Sequence, residues 1–198
     1  MSEVKINVED VHLAEITESP DGALIFGVPE YIPGAMEIGR TPQLSTGQLY
    51  GDGKVRHSIS RKNSYQITIN QNKLPSKWRR YMEGTKVNNG VESGTSKDEP
   101  KPFAIGWAVE KTGGKRELIW FLYCKAEPIQ ETVRQSEDST NYSTDSVTIT
   151  ALEHDSLDRF YTFIDTEDEE IKPEMVENFF KQVQTTDAIS APPIPPEG

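Results

Sequence analysis

The chain has little cysteine and no long hydrophobic run. Its single cysteine, Cys124, lies in the apolar run 118–124. An intramolecular disulfide is therefore impossible, and a buried, inert thiol is expected. Nowhere do eighteen apolar residues follow one another, and the N-terminus has no basic segment followed by an apolar one. We expect neither a membrane span nor a signal peptide. The protein is expected to be synthesised in a reducing cytoplasm.

Positive charge is also scarce. The 198 residues include 32 acidic and 21 basic side chains, which gives a net charge of −11. Such a surplus disfavours a surface that holds nucleic acid through its phosphates. Hydrophobic residues make up 34% of the chain and charged residues 27%. This composition predicts one compact core with polar appendages.

Catalytic and metal-binding motifs are missing. His12, His57 and His154 are far apart in the sequence and lack the close pairing that holds a metal. The stretch 111–115, Lys-Thr-Gly-Gly-Lys, lacks the spacing of a phosphate-binding loop and joins two predicted strands, so it is interpreted as a hairpin turn. Neither a nucleophile elbow nor a dinucleotide-binding turn is present. We expect no enzymatic activity, no cofactor and no metal.

What the sequence does have is a period of two. The clearest strand is 64–71, where the apolar Tyr65, Ile67 and Ile69 alternate with the polar Gln66, Thr68 and Asn70. The run 118–124 is apolar on both faces, so it is predicted to be a central strand. Further strands are predicted at 10–17, 31–38, 103–109, 126–135, 144–154 and 160–164. The body is predicted to be mainly β, a β-sandwich or a partly closed barrel.

Two segments depart from this period. Pro75 suits the first turn of a helix and Gly84 suits its end, so one short helix is predicted to pack on the core through Trp78, Tyr81 and Met82. After residue 165 come an acidic run at 167–170, a short amphipathic helical pattern and a proline-rich tail at 191–196. We therefore divide the chain into a β body, 1–165, and a C-terminal extension, 166–198.

The order of the features is more specific than any one of them. Along the chain come the block Ile32-Pro33-Gly34-Ala35, a polar, glycine-containing excursion at 41–61, the strand from Tyr65, the helix ending in Gly84, and the hairpin through Gly113-Gly114. In this order, residues 5 to 165 resemble the major tail protein family of long-tailed, non-contractile bacteriophages, the siphophages of Gram-positive bacteria. The 125–145 loop and the last thirty residues have no counterpart in the resemblance.

The resemblance implies a structural subunit of the virion tail, assembled in the host cytoplasm, with no cofactor and no contact with membrane. It also implies hexameric rings that stack around a tape measure protein, with tail terminator and distal tail proteins as further partners and DNA only as passing cargo. Stacking needs arms that reach between subunits. The excursion is the candidate for such an inter-subunit loop, with contact residues Gln48, Tyr50, Asp52, Lys54 and Arg56.

A channel that passes DNA must not hold it, because each cation that faces the channel adds a phosphate contact. Uncharged polar strand faces suit such a wall. The residues predicted to line the lumen are Gln66, Thr68, Asn70, Thr148 and Thr150. The acidic net charge is expected to reflect an electronegative interior as well as solubility.

Two other functions stay open at this point. An inner tube subunit of a contractile tail or phage-like bacteriocin has the same role inside a sheath. A carbohydrate-binding β-sandwich module is also poor in helix and free of cofactors, with Trp78, Trp107 or Trp120 as a stacking platform. All three tryptophans, however, lie in apolar patterns that indicate core positions.

Overall fold

A computed structural model of the chain describes residues 3–51, 54–131, 145–186 and 189. The helices in this part are α1 (Ser76–Glu83) and α2 (Pro173–Asn178). The strands are β1 (Lys5–Glu18), β2 (Leu24–Phe26), β3 (Glu30–Tyr31), β4 (Ala35–Gly51), β5 (Lys54–Gln71), β6 (Lys86–Asn88), β7 (Val91–Ser93), β8 (Phe103–Lys111), β9 (Arg116–Ala126), β10 (Gln130–Glu131), β11 (Asp145–Ala151) and β12 (Tyr161–Asp165). The mainly β prediction is confirmed.

One antiparallel sheet holds most of these strands. Its main order is β2-β1-β8-β9-β11-β5-β4, and β3, β12 and β10 add to β1, β9 and β11. The sheet branches at β9, where residues 117–121 pair with β12 and residues 124–126 pair with β11. The strands β6 and β7 form a separate hairpin. The central position predicted for the run 118–124 is therefore confirmed.

The sheet curls around its larger core. Val11 of β1 and Ile67 of β5 come from opposite ends of the strand order, yet both are buried in one apolar cluster with Phe121 of β9. The curl stops short of a closed barrel, since β1 and β4 line the two sides of an open cleft without pairing to each other. This agrees with the predicted sandwich or partly closed barrel.

Helix α1 packs on this core, as the sequence predicted. Pro75 precedes the helix, and Gly84 ends it with a left-handed backbone at φ 72°. A Cβ at Gly84 would lie 2.1 Å from the carbonyl oxygen of Glu99, so only glycine fits. On the buried side, Trp78 and Met82 belong to the larger core, and Tyr81 packs against it.

The opposite face of β8 and β9 carries a second core. Ala104 and Ala108 are small and buried there, and the Trp120 ring packs directly on Gly106. The Trp120 indole Nε1 donates a hydrogen bond of 2.8 Å to the carbonyl oxygen of Phe179, which is itself fully buried. Part of the predicted C-terminal extension thus completes a core of the body. The domain boundary at 165 stays a prediction.

Two predictions differ from the structure, the strand at 126–135 and the loop at 41–61. The strand predicted at 126–135 is represented by the short β10, and residues 132–144 and the proline-rich tail at 191–196 lie outside the described residues. The described residues of the segment 41–61 lie in strands, so the predicted loop is wrong for them. Its two halves belong to β4 and β5, which pair with each other as far as Gly51 and Lys54.

The paired ends of β4 and β5 extend beyond the rest of the sheet. In the described part of the chain, β11 pairs with β5 only from Tyr65 to Gln71, so no third strand flanks the pair beyond that point. We call the two-stranded hairpin of residues 44–62 the arm. The backbone groups that face each other are satisfied by cross-strand pairing, which needs no apolar periodicity, and this is why the segment resembles a loop in the sequence.

Candidate functional site

The five residues predicted to line a lumen lie together on one face of two paired strands. The register places Thr68 opposite Thr148 and Gln66 opposite Thr150. Asn70 lies on the same face of β5 and is opposite Ser146. The residues between them, such as Ile67 and Ile149, are completely buried on the other face. We call these five residues the polar face.

The polar face is close to neutral. Its five side chains carry no charge, and charged residues of both signs lie at its edges. Asn70 Nδ2 donates a hydrogen bond of 3.1 Å to Glu37 Oε2 on β4. On the other side, Lys125 of β9 is opposite Thr150. An exposed part of the acidic surplus, the run 167–170, follows β12 instead.

The arm residues predicted as inter-subunit contacts fall in its far half. The strands β4 and β5 include the backbone of Gln48, Tyr50, Lys54 and Arg56, and Asp52 lies outside the described residues. The arm contains four cationic residues and one acidic residue: Lys54, Arg56, Arg61 and Lys62, and Asp52. The arm is therefore cationic on an anionic chain.

The near half of the arm exposes apolar side chains. Leu44 is 60% exposed and Ile59 is 45% exposed. Ile59 is opposite Gly47, which is three residues from Leu44 on β4, and Leu44 is opposite Lys62. Because side chains alternate between the two faces along a strand, Leu44 and Ile59 lie on opposite faces of the hairpin. Each face of the arm thus presents an aliphatic side chain to the outside.

A cleft of about 350 Å³ lies between β1 and β4. Trp107 and Ile119 contribute to its apolar lining. Ile6 and Met36 line it with largely exposed side chains, and Phe163 lines it with a partly exposed one. Sequence reasoning missed this cleft, because its residues come from five different strands. The only local signal is the alternation of Val4, Ile6 and Val8 in a segment that had not been assigned to a strand.

A nearly buried lysine lies at one end of this cleft. Lys111 Nζ is 3.2 Å from Glu117 Oε1 and 2.6 Å from Asp165 Oδ2, and it also contacts Glu167. Lys5 Nζ binds the second oxygen of Glu117 at 2.5 Å. These ion pairs connect β1, β8, β9 and β12 at their common end.

The ion pairs shift the pKa of their members. Burial alone would lower the pKa of Lys111, but hydrogen bonds to three carboxylates outweigh it and raise that pKa. Burial alone would raise the pKa of Asp165, and the hydrogen bond from Lys111 lowers it overall. Lys111 and Asp165 are therefore both charged at neutral pH.

The remaining candidate residues, the cysteine, the histidines and the turn after β8, lie in environments that need no functional explanation. Cys124 is buried and free, and burial raises the pKa of its thiol. His12 stacks on Phe180 with ring centroids 4.7 Å apart, and His154 Nδ1 is 2.9 Å from the Ser156 hydroxyl. The turn 112–114 joins β8 to β9, as predicted. Among the described residues, no group of three or more His, Cys, Asp or Glu side chains is arranged to hold a metal ion.

The three tryptophans are core residues, as predicted. Trp78, Trp107 and Trp120 are exposed by 1%, 4% and 0%. None of them is available as a flat platform for a sugar ring. In the described ranges, no helix has the length and apolarity to cross a membrane.

A protein-family model described as "Phage tail tube protein" matches residues 43–188 of the chain. The match begins at the arm and includes both halves of the polar face. It also includes residues 166–188, for which the sequence resemblance had no counterpart. No curated protein sequence matches the chain significantly.

Proposed function

The chain belongs to the phage tail tube protein family, and from this premise we propose that it forms hexameric rings that stack into the tube of a long-tailed, non-contractile phage. Membership makes the chain a structural subunit of the virion tail and implies a role that is not enzymatic. In the proposal, subunits assemble in the host cytoplasm around a tape measure protein. The tube meets tail terminator and distal tail proteins at its ends and passes DNA during ejection.

The polar face is the observation that carries this proposal. Its hydroxyl and amide groups hydrogen-bond to water and offer the phosphates of DNA no cation. Behind it, Ile67 and Ile149 are anchored in the larger core. Such a two-sided sheet suits the wall of a large composite barrel, polar within and apolar behind. The neutral charge of the face supports a lumen that neither binds nor strongly repels DNA.

The face of the sheet that points away from the larger core differs between β9 and β5, and this difference supports the proposed orientation. Over β9, the chain covers the sheet with its own residues Phe179 and Val183. Over β5, Gln66 and Thr68 are exposed. Among the described residues on this side of the sheet, the β5–β11 half therefore presents a hydrated surface suited to a channel.

The arm has the form that an inter-subunit contact requires. A two-stranded hairpin is at best marginally stable alone in water, so a partner surface favours its extended shape. Contacts between different patches of identical chains close into rings or continue as filaments. In the proposal, the arm supplies one of these patches and bridges neighbouring subunits.

Changing Thr68 and Thr148 together to lysine tests the lumen assignment. The two residues are opposite each other, one exposed and one half-buried. Tubes should still assemble, and genome ejection should be slowed or blocked because the lysines add phosphate contacts. The effect should be larger at low salt, where screening is weaker. Electron microscopy of virions and the rate of DNA release at two salt concentrations measure both outcomes.

A matched control adds the same charge elsewhere. Val91 and Ser93 are exposed on β7, so changing both to lysine should leave ejection at the rate of the unaltered protein. Normal ejection through tubes that contain lysine at 68 and 148 contradicts the lumen assignment. Failure of the unaltered protein to form any tube contradicts the function itself.

A further inference from the structure

One face of the arm carries an aliphatic and a cationic side chain that are both exposed in the single chain. Ile59 and Arg61 are two residues apart on β5 and therefore share a face. Ile59 is 45% exposed and Arg61 is also exposed. The pairing of β5 with β4 shifts by one residue between Ser64 and Lys62, so this face continues the polar face beyond the point where β11 ends.

The cleft between β1 and β4 offers exposed apolar side chains at its mouth, and Lys5, Glu37, Arg40 and Glu117 are also among its lining residues. Ile6 and Met36 are 61% and 62% exposed at its mouth, and Phe163 is 39% exposed. In the described part of the chain, residues 5–10 of β1 pair on one side only, and so does β4. Open strand edges beside exposed apolar side chains attract another chain unless they are covered.

Charge at the two surfaces is opposite. At the end of the cleft, Glu117, Asp165 and Glu167 share the cations Lys111 and Lys5. The exposed acidic residues 168–170 follow directly. The arm carries four cations and one acid in a chain of net charge −11. Electrostatic complementarity of this kind steers association and fixes its register.

We propose that this cleft is the docking site for the arm of a second copy of the chain. Ile59 of the arm enters beside Ile6 and Met36, and Arg61 faces the acidic run 167–170. The inference rests on the proposed tube function and specifies the surface that the arm contacts. Donor and receptor are different patches of one chain, so each subunit both gives and receives an arm and the contact propagates.

Two variants that each spoil one half of the contact test the proposal. Ile59→Asp alters the donor and Met36→Asp alters the receptor, and both side chains are exposed enough for the fold to tolerate the change. Each variant alone should need about a tenfold higher concentration to assemble. Val28→Asp is the matched control, because Val28 is 83% exposed and lies outside both patches. It should assemble like the unaltered protein.

Mixing the two variants gives the sharper result. The Ile59→Asp chain still offers a cleft and the Met36→Asp chain still offers an arm, so equal amounts should form heterodimers that cannot grow. Sedimentation velocity distinguishes these from monomers and tubes. The proposal is overturned if the mixture stays monomeric, or if both variants assemble at the concentration of the unaltered protein.

A cysteine pair separates this inference from the function on which it rests. In assembled tubes, an Ile6→Cys, Ile59→Cys double variant should form disulfides between chains under mild oxidation. Cys124 is buried and does not compete. Tubes that form without this cross-link, while a shortened arm still prevents assembly, place the docking site elsewhere and leave the tube role intact. A chain that never assembles contradicts both.

Discussion

Individual side chains decide how closely the sheet packs against its neighbours. Gly106 leaves room for the ring of Trp120, and a Cβ at this position would lie only 2.7 Å from that ring. At the end of the same strand, the ammonium group of Lys111 contacts three carboxylates. One residue therefore controls packing and the other controls charge balance, and each permits a direct test.

Replacing Gly106 with alanine should destabilise the fold by about 1–3 kcal/mol, because the added methyl overpacks the Trp120 contact. Gly39 is the matched control. It lies in β4 with nothing within 4 Å of the position of a Cβ, so Gly39→Ala should be neutral or slightly stabilising. Urea unfolding of both variants measures the difference. Equal midpoints for the two contradict the close packing.

Replacing Lys111 with methionine should lower stability at pH 7 by about 1–3 kcal/mol, because the half-buried Glu117 and Asp165 lose their cation while the exposed Glu167 loses little. The pKa of Asp165 is below its ordinary value in the folded protein. Its ion pair therefore stabilises the fold above the unfolded carboxyl pKa of about 4 and is lost as the pH falls through the lowered folded pKa. The difference from the unaltered protein should shrink below pH 4.

Thermal unfolding at pH 7 and at acidic pH measures the effect of this substitution. Lys97→Met removes the same charge from an exposed residue and should change stability little at either pH. A Lys111→Met deficit that is as large in acid as at pH 7 contradicts the ion-pair explanation.

At the scale of elements, burial on one side determines which strands the sequence reveals. Within 64–71, β5 has β11 on one edge and the core beneath it, and its side chains alternate between buried and exposed. Beyond Ser64 the same strand enters the arm, where residues 58–63 are all exposed. Without burial no alternation is selected, so the sequence predicted a loop where the structure has a hairpin.

Shortening the arm should separate folding from assembly. Replacing residues 48–58 with Asn-Gly keeps Gly47 opposite Ile59 and closes the pair with a two-residue turn. The variant should be a folded monomer with a melting temperature close to that of the unaltered protein, since loops and hairpins change length at small entropic cost. Circular dichroism and sedimentation check this. Normal tubes from the shortened chain, or an unfolded product, contradict the role given to the arm.

At the scale of the whole molecule, the curled sheet leaves two unlike surfaces that a single chain does not cover. The cleft between β1 and β4 combines exposed apolar side chains with charged ones and has an acidic run near its end, and the arm is cationic with exposed aliphatic side chains. Because the two surfaces differ, a contact between them would be heterologous and would not end at a dimer. Assembly is therefore expected to follow from the shape of the subunit.

The purified protein should form rings or tubes as its concentration rises. Sedimentation and negative-stain microscopy across a concentration series check this expectation. A species that stays monomeric at high concentration, with and without divalent ions, contradicts it. Retention of such a monomer on a glycan resin favours the carbohydrate-binding alternative, although the buried tryptophans argue against that outcome.

The sequence by itself determined the features that depend on neighbours along the chain. It predicted the β class, the helix between Pro75 and Gly84, the buried tryptophans and the two-faced strand at 64–71, because side-chain direction and helix ends are set within a few residues. Only the tertiary structure placed Thr68 opposite Thr148, covered β9 with Phe179 and opened the cleft between β1 and β4. These features depend on which strands pair across long separations, and a local period of two is the same for every partner a strand can take.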